Sequence, residues 1–302
     1  MLITRVGFAA ALSVVLLASG CGELTGVDGN LVNNWGTISE PTGFNPVADT
    51  CHLGNFVTVG TRDTYEEVGC ALKHRTETIY VGTYQNPAAE APAPPTDGSA
   101  GAREAYRICD EQTTVVVGAP WRTGRLWIGV TQPSDVAWTG GARWFRCEVL
   151  EISSIEDDGG LVQRLGSVTG ALKPASSTLR LTCYAIKLDS AGAINTMPPA
   201  DCTKTHNAEF AGIWNAGALN FPVGDNQWGQ FHDGCRKVIS TYAGVPNDRD
   251  LQYRTGVVSL PGGEDVWALG DRGVRCYLWL DGAKLTTSLK GKGTKGMPIQ
   301  YK

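Results

Sequence analysis

The stretch CALKHRTE, residues 70–77, returns as CTKTHNAE at residues 202–209. In each, a histidine follows the cysteine by four residues and a glutamate by seven: Cys70, His74 and Glu77, then Cys202, His206 and Glu209. Nineteen residues upstream of each lies another cysteine, Cys51 and Cys183. Downstream come Cys109 and Cys235, each followed after nine residues by Gly-x-Pro (Gly118 and Pro120, Gly244 and Pro246). WTGGARWFRC, ending at Cys147, then matches WALGDRGVRC, ending at Cys276. These share Trp138 with Trp267, Arg143 with Arg272 and Arg146 with Arg275. Last, SVTG at Ser167 corresponds to SLKG at Ser288. Matches in one order at one spacing are the signature of a duplicated unit. The fold this predicts is α+β. It holds two tandem copies of a small disulfide-bonded domain, at 49–172 and 179–298.

Local patterns fill in each copy. Trp228, Phe231, Cys235, Val238 and Tyr242 recur at helical spacing, with Asp225 as the expected N-cap. The matching helix is REAYRICDEQTTVV, with Tyr106, Cys109 and Val116 inward. The rest reads as short strands between Gly, Pro and Asp: FVTVG, TIYVGTY, LWIGV and RWFRCEVLEI, then RLTCYAI, EFAGIW, YRTGVVSL and VRCYLWL. One helix among about five strands predicts a curved, mainly antiparallel sheet with the helix packed on it. The first copy alone carries PAAEAPAPPTDGSAG at 87–101, which reads as an exposed, variable loop. The basic end, Lys284 to Lys302, reads as solvated.

Whether nine cysteines mean metal chemistry or disulfides depends on the compartment. Residues 1–20 have the layout of an export signal: Arg5, a short apolar run from Phe8 to Leu17, then small residues. The apolar run is too short for a spanning helix, which needs about 20 residues. Leu17-Ala18-Ser19-Gly20-Cys21 resembles a lipobox, the signal that places a diacylglyceryl group, with palmitate-type chains, on the cysteine. The chain therefore reads as a lipoprotein anchored through Cys21 to the outer face of the cytoplasmic membrane, with residues 21–48 as a flexible tether. Setting Cys21 aside leaves eight cysteines, an even number, in two sets of four. Each set allows three pairings. The favoured scheme is Cys70–Cys109 with Cys51–Cys147, and Cys202–Cys235 with Cys183–Cys276. Sequential pairing stands close behind it.

A net charge of −4 argues against a nucleic-acid partner, which needs a strong basic footprint. The catalytic templates fail: GKGTKGMP lacks the Gly-Lys-Ser/Thr of a phosphate loop, and GSVTG lacks the Gly-x-Ser-x-Gly of a nucleophile elbow. There is no Cys-x2-Cys redox pair, and EDD at 156–158 lacks the ligand series of a calcium loop. His74 with Glu77 and His206 with Glu209 are the candidate ligand pairs of a metal-dependent hydrolase. Residues three apart on a strand point to opposite faces, which favours separate backbone contacts at a strand's start. Arg143, Arg146, Arg272 and Arg275 beside Trp138, Trp144 and Trp267 offer a surface for an anionic sugar polymer. The alternative is core tryptophan with arginine stems lying over it. No cofactor and no catalytic residue is expected.

Taken together, the first cysteine, Cys-x3-His-x2-Glu, the helical cysteine, and the Trp, Gly, Arg and final Cys resemble the septum formation domain. That family occurs in actinobacterial envelope proteins, often behind a lipobox or a membrane helix. Its members often have Pro before the histidine, where Lys73 and Thr205 stand here. The resemblance implies a non-enzymatic envelope protein linked to cell division, binding a protein or cell-wall polymer. The alternative is a carbohydrate- or lipid-binding lipoprotein.

Overall fold

The structure is a computed structural model that describes residues 43–60, 66–156 and 160–300. The signal segment, Cys21 and most of the expected tether lie outside these residues. In the first half, six strands form one sheet: β1 (Thr50–His52), β2 (Val59–Gly60), β3 (Glu67–Val68), β4 (Thr76–Thr83), β5 (Leu126–Pro133) and β6 (Trp144–Glu151). Their order is β2-β5-β6-β4-β1-β3, antiparallel except for β2 beside β5. In the second half come β7 (Cys183–Tyr184), a separate hairpin of β8 (Lys187–Leu188) and β9 (Ile194–Thr196), then β10 (Pro199–Ala200), β11 (Ala208–Asn215), β12 (Gly256–Leu260) and β13 (Gly273–Trp279). The second sheet is ordered β10-β7-β11-β13-β12. Read from its other edge, that order matches β5-β6-β4-β1-β3 of the first. A register shift falls between Thr78 and Tyr80 in β4, and between Phe210 and Gly212 in β11. These positions are equivalent, so both long strands bend at the same place.

Each sheet carries one long helix, α1 (Ala100–Val117) on β4, β5 and β6, or α3 (Asp225–Ala243) on β11, β12 and β13. One-turn helices join them: α2 (Asp135–Thr139) and α4 (Glu264–Ala268) before the last strand of each sheet, and α5 (Gly293–Gly296) near the end. The expectation of a single helix per copy is short by these. α1 starts at Ser99, whose hydroxyl accepts from the Ala102 N–H at 3.2 Å. α3 starts from Gly224 rather than Asp225. Asp225 sits in the first turn, where its charge favours the positive helix end. The repeated Gly-x-Pro marks the stops. Gly118 (φ 85°) and Gly244 (φ 73°) close their helices in the left-handed conformation.

The buried face of α1 is Ala102, Ala105, Tyr106, Cys109, Thr113 and Val117, with Val116 only half-buried. α3 buries Phe231, Gly234, Cys235, Ile239 and Ala243. Gly234 allows the indole of Trp214 to lie against the helix, since an added Cβ would meet the ring at 2.2 Å. The core of the first half extends into the second, taking in Val266 and Leu269.

The disulfides are Cys51–Cys70, Cys109–Cys147, Cys183–Cys202 and Cys235–Cys276. The favoured pairing of Cys70 with Cys109 and of Cys51 with Cys147 is therefore corrected, as is its counterpart in the second half. Strand order supplies the reason. β4 lies between β1 and β6, so Cys51 and Cys147 stand two strand spacings apart, roughly 9.5 Å, beyond the reach of a disulfide. Cys51 instead opposes Val68 on β3, and the turn after β3 brings Cys70 back to it. The second bridge of each half staples the long helix to a central strand, β6 or β13.

Two expectations about loops hold in part: Pro87, Glu90, Pro92, Ala93, Thr96 and Asp97 and the described lysines of the basic end are exposed, but both segments are anchored to the fold. The Pro/Ala segment is held in place. Its Ala89, Ala91 and Pro95 carbonyls accept from Arg143 Nε (2.6 Å), Trp138 Nε1 (2.8 Å) and Gln132 Nε2 (3.0 Å). The basic end folds back on the second half, burying Leu289 and Met297, while Lys284, Lys290, Lys292 and Lys295 stay exposed. Among the described residues, no helix is long and apolar enough to cross a membrane.

Candidate functional site

The repeated His and Glu converge, contrary to the opposite-face expectation. His74 precedes the start of β4 and His206 the start of β11, so strand periodicity does not govern either ring. The backbone of His74 pairs with Arg164, and that of His206 with Leu285. His74 Nδ1 donates to the Leu72 carbonyl at 2.9 Å, and His206 Nδ1 to the Lys204 carbonyl at 2.8 Å. This turns Nε2 of His74 to 3.8 Å from Glu77 and Nε2 of His206 to 3.2 Å from Glu209. All four side chains are buried.

The carboxylates have further partners. Glu77 accepts from the Ser167 hydroxyl and from the Val168 N–H at 2.7 Å. Glu209 accepts from the Ser288 hydroxyl (2.7 Å), the Leu289 N–H (2.8 Å) and the Tyr242 hydroxyl (2.7 Å). Burial pushes the Tyr242 phenol up, so it stays a donor. The late Ser motif of the repeat thus serves the early Cys-x3-His-x2-Glu motif: each glutamate ties the returning chain to the sheet.

A cysteine joins each pair. Donor atoms of Cys51, His74 and Glu77, and of Cys183, His206 and Glu209, lie within 4.8 Å of one another. The set does not fit a metal. Zinc takes thiolate sulfur, and these sulfurs are in disulfides; the Nδ1 atoms donate to carbonyls and the carboxylates are already engaged.

The Arg–Trp grouping also turns inward. Trp138, Trp144 and Trp267 are buried. The Arg143 guanidinium lies 4.2 Å above the Trp138 ring and that of Arg272 4.7 Å above Trp267, each also donating to the carbonyl of its tryptophan at 2.6 Å. Arg146 and Arg275 are buried. Arg146 pairs with Glu148 at 2.8 Å, and Arg275 donates to the carbonyls of Arg122 (3.0 Å) and Leu126 (3.1 Å). They reach into the fold and form no open surface for a polymer.

The sequence reading missed a polar cluster inside the first half. His52 Nε2 lies 3.0 Å from the Thr78 hydroxyl, which donates to Glu148 at 2.8 Å, and Glu148 pairs with Arg146. The equivalent positions in the second half hold Tyr184, Phe210 and Tyr277, packed edge to face or tilted, with Arg275. Comparing the two halves position by position along the sequence exposes the difference. Burial holds His52 near a pKa of about 4, with Arg146 and His74 adding to the effect. Burial pushes the Glu148 carboxyl up against the opposing pull of Arg146 and Thr78, and Glu77 raises it further.

A depressed histidine contributes stability that is complete above its unfolded value near 6.5 and is lost as the pH falls toward 4. Glu148, raised, offsets part of that loss. Between pH 7 and 4.5 the His52 contribution falls by about 2 kcal/mol. His52→Phe should flatten the urea-unfolding stability across this interval by that amount relative to the unaltered chain. An unchanged slope would remove His52 from the account.

The Pro/Ala segment and α1 line a mainly apolar cavity of about 580 Å³ that is open to solvent on one side. Buried Tyr84, Pro95, Ala105 and Phe145 contribute to its wall, with Ala88, Ala91, Gly101 and Ile108 half-buried. The polar lining residues Thr83, Gln85, Asn86, Thr96 and Glu104 are exposed. In the second half the same connection is short, Ala216 to Gly224, and Trp214, Phe221, Trp228 and Trp267 pack around Phe231.

The family model described as septum formation matches residues 48–276. No curated protein and no solved structure matches the chain.

Proposed function

The chain belongs to the septum formation family, and from that premise we propose a non-enzymatic, extracytoplasmic envelope protein, anchored by lipid on Cys21 and built from two tandem copies of one domain. It presents these copies to a protein or cell-wall partner at sites of division. The observation that carries this reading is that the fold consumes the reactive groups. Eight cysteines form four bridges, and both His–Glu pairs are buried, with each glutamate hydrogen-bonded to the returning chain. Bridges of this kind persist in oxidising compartments, which supports the extracytoplasmic placement. The shared strand order, shared bulge and matched bridges support the duplication.

Cys21→Ser should release the protein from the membrane fraction and abolish its labelling by palmitate. A crosslinked pull-down of the anchored protein, with imaging of a C-terminal fusion, should find it at the septum with division or wall-synthesis proteins. A uniform envelope signal with no protein partner would count against the septal role.

A further inference from the structure

We propose that the cavity between the Pro/Ala segment and α1 is a binding site for an uncharged hydrocarbon chain such as a lipid acyl tail. Its volume, about 580 Å³, lies within the range of small-molecule sites. Its buried wall is carbon: the Tyr84 and Phe145 rings, Pro95 and Ala105. Such a wall repays burial of apolar surface and offers little to a sugar.

The polar groups at the exposed margin are partly committed elsewhere. Gln85 donates to the Thr83 carbonyl, Asn86 to Glu90, and Ser99 caps α1. The single charged lining residue is Glu104, exposed and paired with Arg107 at 2.7 Å, so the lining offers no cation to hold an anionic ligand. Segment and helix also approach closely. A Cβ on Gly101 would meet Ala88 Cβ at 2.8 Å and Pro95 Cγ at 3.0 Å, so the glycine is what lets the segment pack against α1 and form the outer wall. Only the first half is built this way, because the longer connection between β4 and α1 supplies the outer wall.

The test uses the full chain carrying Cys21→Ser, so that no attached lipid competes. The uncharged fluorophore N-phenyl-1-naphthylamine reports occupancy, and alkanols of six to twelve carbons displace it. We expect saturable binding, with each added methylene tightening displacement by about fourfold until the cavity is full. Dodecanoate should displace more weakly than dodecanol.

Ala105→Leu, which fills the cavity from its buried wall, should weaken binding at least about tenfold. Ala100→Trp, from an exposed lining position with less risk to folding, should do the same. Val115→Ser, on the same helix but exposed, should leave binding unchanged. Absence of saturable binding overturns the proposal. So does binding that survives both filling variants, which would place the fluorophore elsewhere, such as the recess of about 250 Å³ beside Phe56 and Trp127. Preference for dodecanoate over dodecanol overturns the uncharged assignment. None of these results depends on septal localisation, so the two readings fail separately.

Discussion

Replacing Cys109 and Cys147 together by alanine will destabilise the protein by about 4 kcal/mol. The bridge closes 38 residues of chain, and restricting a loop of that size in the unfolded state accounts for the figure. The expected loss for Cys51–Cys70, which closes 19, is about 3 kcal/mol. Position separates the two further. Cys109 and Cys147 are fully buried where α1 crosses β6, so two alanines also leave a gap in the core. Cys70 is partly exposed in the turn after β3, where water can fill the space. Cys235–Cys276 closes 41 residues between equivalent elements and should match Cys109–Cys147 to within a few tenths of a kcal/mol. Urea unfolding without reductant measures all three. A loss below about 1 kcal/mol for the Cys109–Cys147 pair would show that the bridge adds little to helix packing.

What was legible in the chain was local or repeated. Cysteine spacing and the Trp-to-Cys match located the two halves, and apolar spacing around Cys109 and Cys235 located the long helices. The Gly-x-Pro pairs were legible only as marks of the repeat; that they also stop the helices follows from glycines at φ near +80°. Pairing of the cysteines was not legible, because it depends on which strand lies between which, and spacing does not encode lateral order. The His–Glu contact was hidden for a related reason: His74 and His206 stand two residues before the strands begin, and there a period of two does not apply. The Pro/Ala segment looked unconstrained because its anchors, Arg143, Trp138 and Gln132, lie 37 to 54 residues away. The joint between the halves is the extreme case, as its partners are separated by 149 residues.

At that joint, Asp271→Ala will cost about 3–5 kcal/mol, the range for breaking a buried charge pair from one side. Asp271 is buried in the second half and accepts from four groups. Arg122 Nη2 donates at 2.6 Å and Arg122 Nε at 3.1 Å, the Gly273 N–H at 2.8 Å and the Tyr106 hydroxyl at 3.2 Å. Arg122 and Tyr106 belong to the first half. Arg122 is also held by Asp110 at 2.5 Å, and its guanidinium lies 4.3 Å above the Trp121 ring. Alanine leaves Arg122 desolvated with half its neutralising charge, and leaves the Tyr106 hydroxyl without its acceptor. Burial and the neighbouring Asp271 both push the Tyr106 phenol up, so it remains protonated and in need of an acceptor. Asp271→Asn keeps an acceptor oxygen for Tyr106 and should lose less. Removing both charges, in Arg122→Met with Asp271→Leu, should recover much of the loss, because neither ion is then stranded. The double-mutant cycle, read by urea unfolding, should give a coupling of at least about 1 kcal/mol. A coupling near zero would mean that this charge pair adds nothing to the joint beyond the apolar contacts of Val266 and Leu269 and the Arg275 hydrogen bonds to the Arg122 and Leu126 carbonyls.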